Sequence, residues 1–205
     1  MCAGRRRPCR RLTTGTESDH ERSGGRDPSL RRVTSSRNPA LQHLRRLQQK
    51  RTRREERLFV AEGEDLVQSA LDHGIQPVML LIDEERVGSD DPRLLATVGL
   101  SERYCASTQL MAGASTLAQP PRIIAIFPQS GPHHFRTVVM PPALGVYLAG
   151  VADPGNVGTL VRTSAALGAD WLALGPGSAD AAHPRAVRAA MGATFALPVL
   201  EGVTP

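Results

Sequence analysis

The chain has 205 residues, of which 40% are hydrophobic and 22% charged, and its formal net charge is +5. This composition is that of an ordinary globular protein and excludes a fibrous, collagen-like or wholly disordered chain. No apolar run approaches the roughly 18 residues that span a bilayer, and the arginine-rich start has no apolar stretch typical of a secretory signal. We therefore expect neither secretion nor a membrane partner.

The charge is distributed unevenly along the chain. Residues 1–57 carry a net charge of +11, whereas residues 58–205 carry −6. A basic N-terminal part followed by an acidic remainder is typical of a protein that binds a polyanion through its N-terminal part.

The three cysteines, Cys2, Cys9 and Cys105, are odd in number and lack metal-ligand spacing, so we expect a cytoplasmic protein without a metal.

Residues 1–33 are rich in Arg, Gly, Ser and Thr and nearly free of large apolar side chains. They cannot bury enough surface to offset the entropy of ordering, so a disordered basic tail is predicted. A solvated tail without a partner and a tail that meets a polyanion remain equal alternatives.

A basic amphipathic helix is predicted next, capped by Asn38 and opened by Pro39. Leu41, Leu44 and Leu47 give it one apolar face. The other positions carry cations that favour contact with phosphates, and the predicted RNA-binding residues here are Arg45, Arg46, Lys50, Arg51, Arg53 and Arg54.

Strands and helices then alternate, which predicts a small α/β domain over residues 34–128. The predicted strands are 58–61, 78–82, 103–106 and 122–127, and the predicted helices are 65–72 and 109–114. Residues 128–142 contain four prolines, and a linker is predicted over residues 129–142. A second α/β unit follows over 143–205, with strands 144–149, 171–174 and 195–199 and helices 155–167 and 184–191.

The most informative segment, Gly150 to Thr163, leaves a strand and opens a helix. Helix N-termini offer free N–H groups and a partial positive charge, so they favour phosphate or carboxylate. Gly155, Gly158, Thr159 and Arg162 are predicted to share one helical face, where Arg162 makes a bidentate contact to a nucleotide phosphate. The alternative is a helix with glycines for close packing and an arginine paired to an acid.

Asn156, in the first turn of that helix, is predicted both to cap it and to hydrogen-bond a ribose or phosphate. The spacing of the glycines in this segment excludes two known nucleotide-binding motifs. The segment has no G-x-x-x-x-G-K-[ST] and no G-x-G-x-x-G, so neither the P-loop nor the dinucleotide fingerprint applies.

Together these residues resemble a known family. The run Asp153-Pro154-Gly155-Asn156-Val157-Gly158-Thr159 with Arg162, followed by Gly177-Ser178-Ala179-Asp180, Pro184-Arg185, Val187-Arg188 and Met191-Gly192-Ala193, is similar to the first half of the SpoU (TrmH-type) RNA 2′-O-ribose methyltransferases. Upstream, Ser36-Arg37-Asn38-Pro39 and Phe59-Val60-Ala61-Glu62-Gly63 resemble the ribosomal-protein-like substrate-binding domain that many of these enzymes carry. The resemblance covers about residues 34–201.

The resemblance implies an α/β fold in which a small substrate-binding domain precedes the N-terminal half of a SPOUT (trefoil-knot) methyltransferase domain. It also implies S-adenosylmethionine as cofactor, rRNA or tRNA as substrate, and a homodimer. Asn156 and Arg162 match the family's first motif and are the expected catalytic residues. Since an arginine is a poor base, we expect Arg162 to hold the phosphate beside the reacting hydroxyl.

The chain departs from the family's pattern in several places. His183 stands where the family commonly has Asn, and Ala190 where Ser is frequent. The family's second and third motifs, which build the knot and most of the cofactor pocket, would lie beyond Pro205. The cofactor-binding residues are therefore expected beyond Pro205, and the chain is either a truncated form or a non-catalytic RNA-binding protein.

The predicted helix 184–191 places Arg185 and Arg188 one turn apart on one face. Their expected role is contact with the RNA backbone, and the alternative is surface ion pairing.

Overall fold

The structure is a computed structural model that describes residues 30–129 and 143–204. The predictions for residues 1–29 and 130–142 lie outside this range. No helix of the described residues is long and apolar enough to cross a membrane, and no cluster of three or more His, Cys, Asp or Glu among them could hold a metal ion.

The first domain is a five-stranded sheet with helices on both faces. Its strands are β1 (Arg31–Val33), β2 (Leu58–Glu62), β3 (Met79–Asp83), β4 (Arg103–Ala106) and β5 (Ile123–Pro128), and its helices are α1 (Pro39–Arg46), α2 (Lys50–Glu56), α3 (Glu64–Asp72), α4 (Pro92–Leu95) and α5 (Thr108–Ala114). The strand order is β1-β4-β3-β5-β2. β1, β4 and β3 are parallel, and β5 is antiparallel to both β3 and β2.

Alternate side chains of these strands enter two hydrophobic clusters, one on each face of the sheet. Val60, Leu81 and Ile126 pack with the leucines of α1, while Phe59, Leu80 and Phe127 pack on the face that α3 covers. The sheet is therefore buried on both faces, which explains the continuous apolar runs of β3 and β5.

The second domain is a three-stranded parallel sheet in the order β6-β7-β8. Its elements are β6 (Gly145–Leu148), α6 (Pro154–Ala166), β7 (Trp171–Leu174), α7 (Pro184–Ala190), α8 (Ala193–Ala196) and β8 (Val199–Glu201). α6 and α7 pack closely together, and both contribute to the core cluster with Leu148, Leu172 and Leu174.

The predicted α/β class and alternation are confirmed, and three local predictions are wrong. Residues 31–33 do not belong to a disordered tail, because they form β1, whose Val33 is buried beside β4. The basic helix is two helices separated by residues 47–49. The strand predicted over residues 195–199 lies later, at Val199–Glu201, and residues 193–196 are helical, because Phe195 turns back to pack on Phe59 and Phe127.

Candidate functional site

The candidate site lies where the parallel strands β6 and β7 end and two loops meet. In open α/β sheets this carboxyl edge is the usual place for ligands. Residues 149–153 and 175–180 are tied together, because the Ala179 N–H donates to the Val151 carbonyl at 2.8 Å and the Ser178 hydroxyl donates to the Leu148 carbonyl at 3.0 Å. The two loops therefore form one unit in front of α6.

Helix α6 begins with a side-chain cap supplied by Asp153. Its carboxylate accepts a hydrogen bond from the Asn156 backbone N–H at 3.0 Å, and Pro154 occupies the first helical position. The prediction that Asn156 caps the helix is therefore wrong. The Asn156 side chain is exposed beside the helix start and is available to a ligand.

Arg162 lies on the exposed face of α6, about two turns from the helix start, as the spacing predicted. Thr159 and Gly155 precede it on this face, and the Thr159 hydroxyl donates to the Gly155 carbonyl at 2.9 Å. Within residues 30–129 and 143–204, the side chain of Arg162 has no hydrogen bond or ion pair. This excludes, for those residues, the alternative in which an internal acid holds the guanidinium.

Gly158 does not belong to that exposed face, which corrects its prediction as an RNA-binding residue. It is buried against α7, where an added Cβ would overlap the Ala186 carbonyl oxygen and would lie 2.8 Å from the Ala189 Cβ. Gly158 is small because the backbones of two helices meet there.

Arg185 reaches the start of α6 from the neighbouring helix. Its guanidinium lies 3.4 Å from the Asp153 carboxylate, and a Cβ added to Gly155 would lie 3.6 Å from its Nη2. The sequence placed Arg185 beside Arg188 on one helix but did not show that it approaches α6. The tertiary structure thus brings Asn156 and Arg185 to one exposed helix start, with Arg162 on the same helix. Arg188 is half-buried.

Arg53 is the clearest correction among the predicted RNA-binding residues. Its side chain is 1% exposed, and its guanidinium donates to the Asp180 carboxylate at 2.6 and 3.0 Å. Its remaining nitrogen donates to the Leu47 and Gln48 carbonyls, which end α1. A buried side chain with these partners cannot meet a phosphate, and the pattern of the helix alone could not reveal a partner 127 positions away.

The other cations of α1 and α2 differ in their availability. Arg45 is half-buried and donates to the carbonyls of Ser36 and Gly113, so its donors are largely used within the protein. Arg46, Arg51 and Arg54 are exposed and lie near Glu56, Glu55 and Glu201 respectively. Exposed pairs of this kind are weak and exchange readily for phosphate. Lys50 is exposed.

Two functional features were missed at the sequence level, the Asp153 cap and the Asp180 partner of Arg53. The first had a signal. Asn38-Pro39, Asp91-Pro92 and His183-Pro184 are the same arrangement, in which a capping side chain precedes a proline that opens the helix. The second had no local signal.

His183 caps α7, and its pKa is lowered. Its Nδ1 accepts a hydrogen bond from the Arg185 backbone N–H at 3.1 Å, which requires an unprotonated Nδ1. Burial lowers the pKa of His183 below 6.5, and the nearby Arg53 lowers it further.

We expect this cap to weaken at acidic pH. Because the pKa is lower in the folded state, the unfolded state binds more protons between the two values, and stability falls as pH drops below 6.5. His183→Asn keeps a capping acceptor without a titrating group. The difference in the free energy of unfolding between the two proteins should therefore shift by about 1 kcal/mol in favour of the variant between pH 7 and pH 5. Urea titrations over that range measure it, and a constant difference would exclude the cap as the titrating element.

Comparisons with known proteins agree with this architecture. Residues 38–125 match the MRM3-like substrate binding domain, and residues 143–204 match the SpoU rRNA Methylase family. The fold and the two matched domains are thus those of a two-domain α/β protein of the RNA-methylase class. The chain belongs to the SpoU methyltransferase family, which confirms the resemblance stated from its motifs.

Two curated relatives illustrate the similarity. The chain is 31% identical to the 23S rRNA (guanosine(2553)-2′-O)-methyltransferase RlmP of Bacillus subtilis, over 86% of this chain and 67% of that protein. It is 33% identical to the 23S rRNA (uridine(2479)-2′-O)-methyltransferase of Streptomyces viridochromogenes, over 89% of this chain and 64% of that protein. The chain therefore spans about two thirds of the length of these relatives.

Solved structures show the same fold. The AdoMet-bound rRNA methyltransferase from Sinorhizobium meliloti superposes with a TM-score of 0.73 at 31% identity, covering 85% of this chain and 65% of that one. The SpoU methyltransferase AviRb from Streptomyces viridochromogenes, in complex with AdoMet, also gives 0.73 at 27% identity, covering 82% of this chain and 64% of that one.

Proposed function

We propose that the chain provides the substrate-binding domain and the ribose-positioning part of an S-adenosylmethionine-dependent rRNA 2′-O-methyltransferase. The observation that carries this proposal is the exposed guanidinium of Arg162, which shares a helix face with Gly155 and Thr159. Two relatives that match over most of the chain are named as 23S rRNA methyltransferases, which supports rRNA over tRNA.

In this proposal the start of α6 binds the sugar-phosphate backbone of the RNA. Gly155 leaves room for a backbone, and Arg162 donates two hydrogen bonds to the phosphate next to the reacting nucleotide. Asn156 donates to the ribose or to the same phosphate. A phosphate held in this way fixes the ribose, so that its 2′-hydroxyl has one orientation toward the methyl donor.

S-adenosylmethionine supplies a methyl group on a sulfonium, which is already activated and needs no metal. The described loops do not form a complete site for it. Their polar side chains are Asp153, Ser178 and Asp180, and each is committed within the protein, to the α6 cap, to the loop contact and to Arg53. We therefore assign no cofactor-binding residue among them.

The experiment that tests the function uses a form of the protein in which this chain is joined to a cofactor-binding part, together with labelled S-adenosylmethionine and transcribed 23S rRNA. Transfer to RNA that produces an alkali-resistant linkage, the signature of a 2′-O-methyl group, supports the proposal. RNA binding without transfer and without heat on titration of the cofactor would instead support the non-catalytic RNA-binding alternative.

The exposed cations of α2 give a separate prediction about RNA affinity. We expect a triple Lys50→Gln, Arg51→Gln and Arg54→Gln variant to bind RNA more weakly, with a shallower salt dependence. Each lost phosphate contact should reduce the slope of log K against log salt by about 1. Filter binding from 50 to 300 mM salt measures it. Arg31→Gln is the control for the loss of an exposed arginine, and an unchanged slope in the triple variant would place the RNA elsewhere.

The oligomeric state and location form part of the same proposal. We propose a homodimer, on the resemblance to the family, and a cytoplasmic protein, for which the odd number of cysteines without metal-ligand spacing is the supporting observation. Sedimentation equilibrium of the purified chain tests the dimer.

A further inference from the structure

The two domains meet through an apolar contact that surrounds one buried ion pair. Phe195 of the second domain lies with its ring centroid 5.7 Å from that of Phe59 and 5.0 Å from that of Phe127. Ala182 and Val187 join the same hydrophobic cluster of the first domain. This contact removes apolar surface from water and favours association of the domains.

Arg53 and Asp180 form the ion pair at this interface. They are 1% and 6% exposed, and both Nε and Nη2 of Arg53 donate to the same carboxylate oxygen. The other oxygen of Asp180 accepts the Ala182 backbone N–H at 2.8 Å. Both carboxylate oxygens are therefore required as acceptors, a condition that an amide cannot meet.

The guanidinium of Arg53 also joins the pair to the first domain. Its Nη1 donates to the Leu47 carbonyl at 2.9 Å and to the Gln48 carbonyl at 2.6 Å, in the segment between α1 and α2. One planar group thus links the end of α1, helix α2 and the loop that follows β7. Few other side chains could satisfy these directions together.

A buried ion pair is a poor means of gaining stability, because desolvation of the charges offsets their attraction. Its hydrogen bonds, however, require one relative orientation, whereas the phenylalanine contact tolerates sliding and rotation. Burial and geometry therefore favour an orienting role over a stabilising one.

That orientation has a consequence for the candidate site. The loop of Asp180 is bonded to the loop that precedes α6, through Ala179 and Val151. On the other side of the pair, Arg53 belongs to the helix that carries the exposed Lys50, Arg51 and Arg54. The ion pair is thus a buried polar link between the basic surface of α2 and the start of α6.

We propose that Arg53 and Asp180 are positioning residues, whose ion pair fixes the angle between the two domains so that one RNA contacts α2 and the α6 face together. The part of this proposal that concerns RNA rests on the proposed function. The part that concerns the angle between the two domains rests on the interface geometry. Neither residue touches the RNA.

The test replaces the pair by apolar side chains of similar size, Arg53→Met with Asp180→Leu. Such exchanges commonly preserve folding, so a purely structural role predicts restored thermal stability, geometry and RNA affinity relative to the single variants. We expect the double variant to recover the thermal midpoint of the parent protein but not the angle between its two domains. Residual dipolar couplings of residues 30–129 and 143–204 should fit one alignment tensor in the parent protein and require two in the double variant. The Kd for rRNA should rise about tenfold.

Two further variants complete the test. Asp180→Asn keeps the shape but cannot accept at both oxygens, so it should shift the couplings in the same direction even if the double variant fails to fold. Asp170→Asn is the matched control, because it makes the same change at an exposed carboxylate of the second domain while keeping an acceptor for the Leu144 N–H.

The two readouts separate this proposal from the proposed function. The couplings are measured without RNA, so a parent protein that binds no rRNA would overturn the function while the angle is still tested. A single tensor shared by the parent, the double variant and Asp180→Asn would overturn the positioning role. Altered couplings with unchanged RNA affinity would overturn its link to RNA.

Discussion

Arg162→Ala, made in a form of the protein that also carries a cofactor-binding part, should reduce methyl transfer to rRNA by about 10²–10³-fold while leaving the protein folded. The loss is expected because the guanidinium would hold the phosphate that fixes the ribose, and an unfixed hydroxyl rarely reaches a reactive orientation. The stability should change by less than about 0.5 kcal/mol, because the side chain is exposed and has no partner within the described residues. Single-turnover transfer and a thermal melt measure the two quantities.

Arg162→Lys separates charge from geometry in the same assay. Lysine keeps the positive charge but cannot donate two parallel hydrogen bonds, so we expect it to recover only part of the lost rate. Arg31→Ala, at an exposed arginine in β1, controls for the change in net charge. Full activity of Arg162→Ala would remove this residue from the site and with it the central support for the proposed function.

Gly158→Ala should destabilise the protein by about 3 kcal/mol. A loss of stability would itself identify the close contact of α6 with α7, because a Gly→Ala change at an exposed helix position stabilises by about 1 kcal/mol. Here the new methyl would meet the Ala186 carbonyl carbon at 2.9 Å, a backbone atom that moves only if α6 and α7 separate. Chemical denaturation compared with the parent protein measures the loss.

Gly155→Ala is the matched control three residues earlier in the same helix. Its methyl would lie 2.9 Å from Oδ1 of Asp153, the oxygen that caps α6. The weakened cap and the gain in helix propensity oppose each other, so we expect a net change within about 1 kcal/mol. If Gly158→Ala were as stable as this control, the close contact between α6 and α7 would not exist as described.

Helix starts and strand positions were largely predictable, because their signals are local. Asn38 before Pro39 and Pro184 after His183 mark helix starts, and the apolar runs of β3 and β5 mark buried strands. The errors arose where a distant contact overrides a local pattern. The apolar neighbours of Phe195 predict a strand, yet the phenylalanines of β2 and β5 hold it in a helical turn.

The candidate site likewise has one part that the sequence predicts and another part that depends on distant contacts. Arg162 could be placed from spacing, because its position relative to Gly155 depends only on the helical period. Arg185 reaches α6 from another helix, and the difference between Gly158 and Gly155 depends on which face α7 covers. No periodicity within one segment carries that information.

The amino-acid sequence alone determined the class of fold, the family and the helix that carries Arg162, since each depends on residues close together in the chain. The tertiary structure decided which cations are available. Arg53 and Arg54 are neighbours on one basic helix, yet the first is buried against Asp180 and the second is exposed. Solvation of a charge depends on what packs over it, and here the covering carboxylate comes from the other domain, 127 positions away.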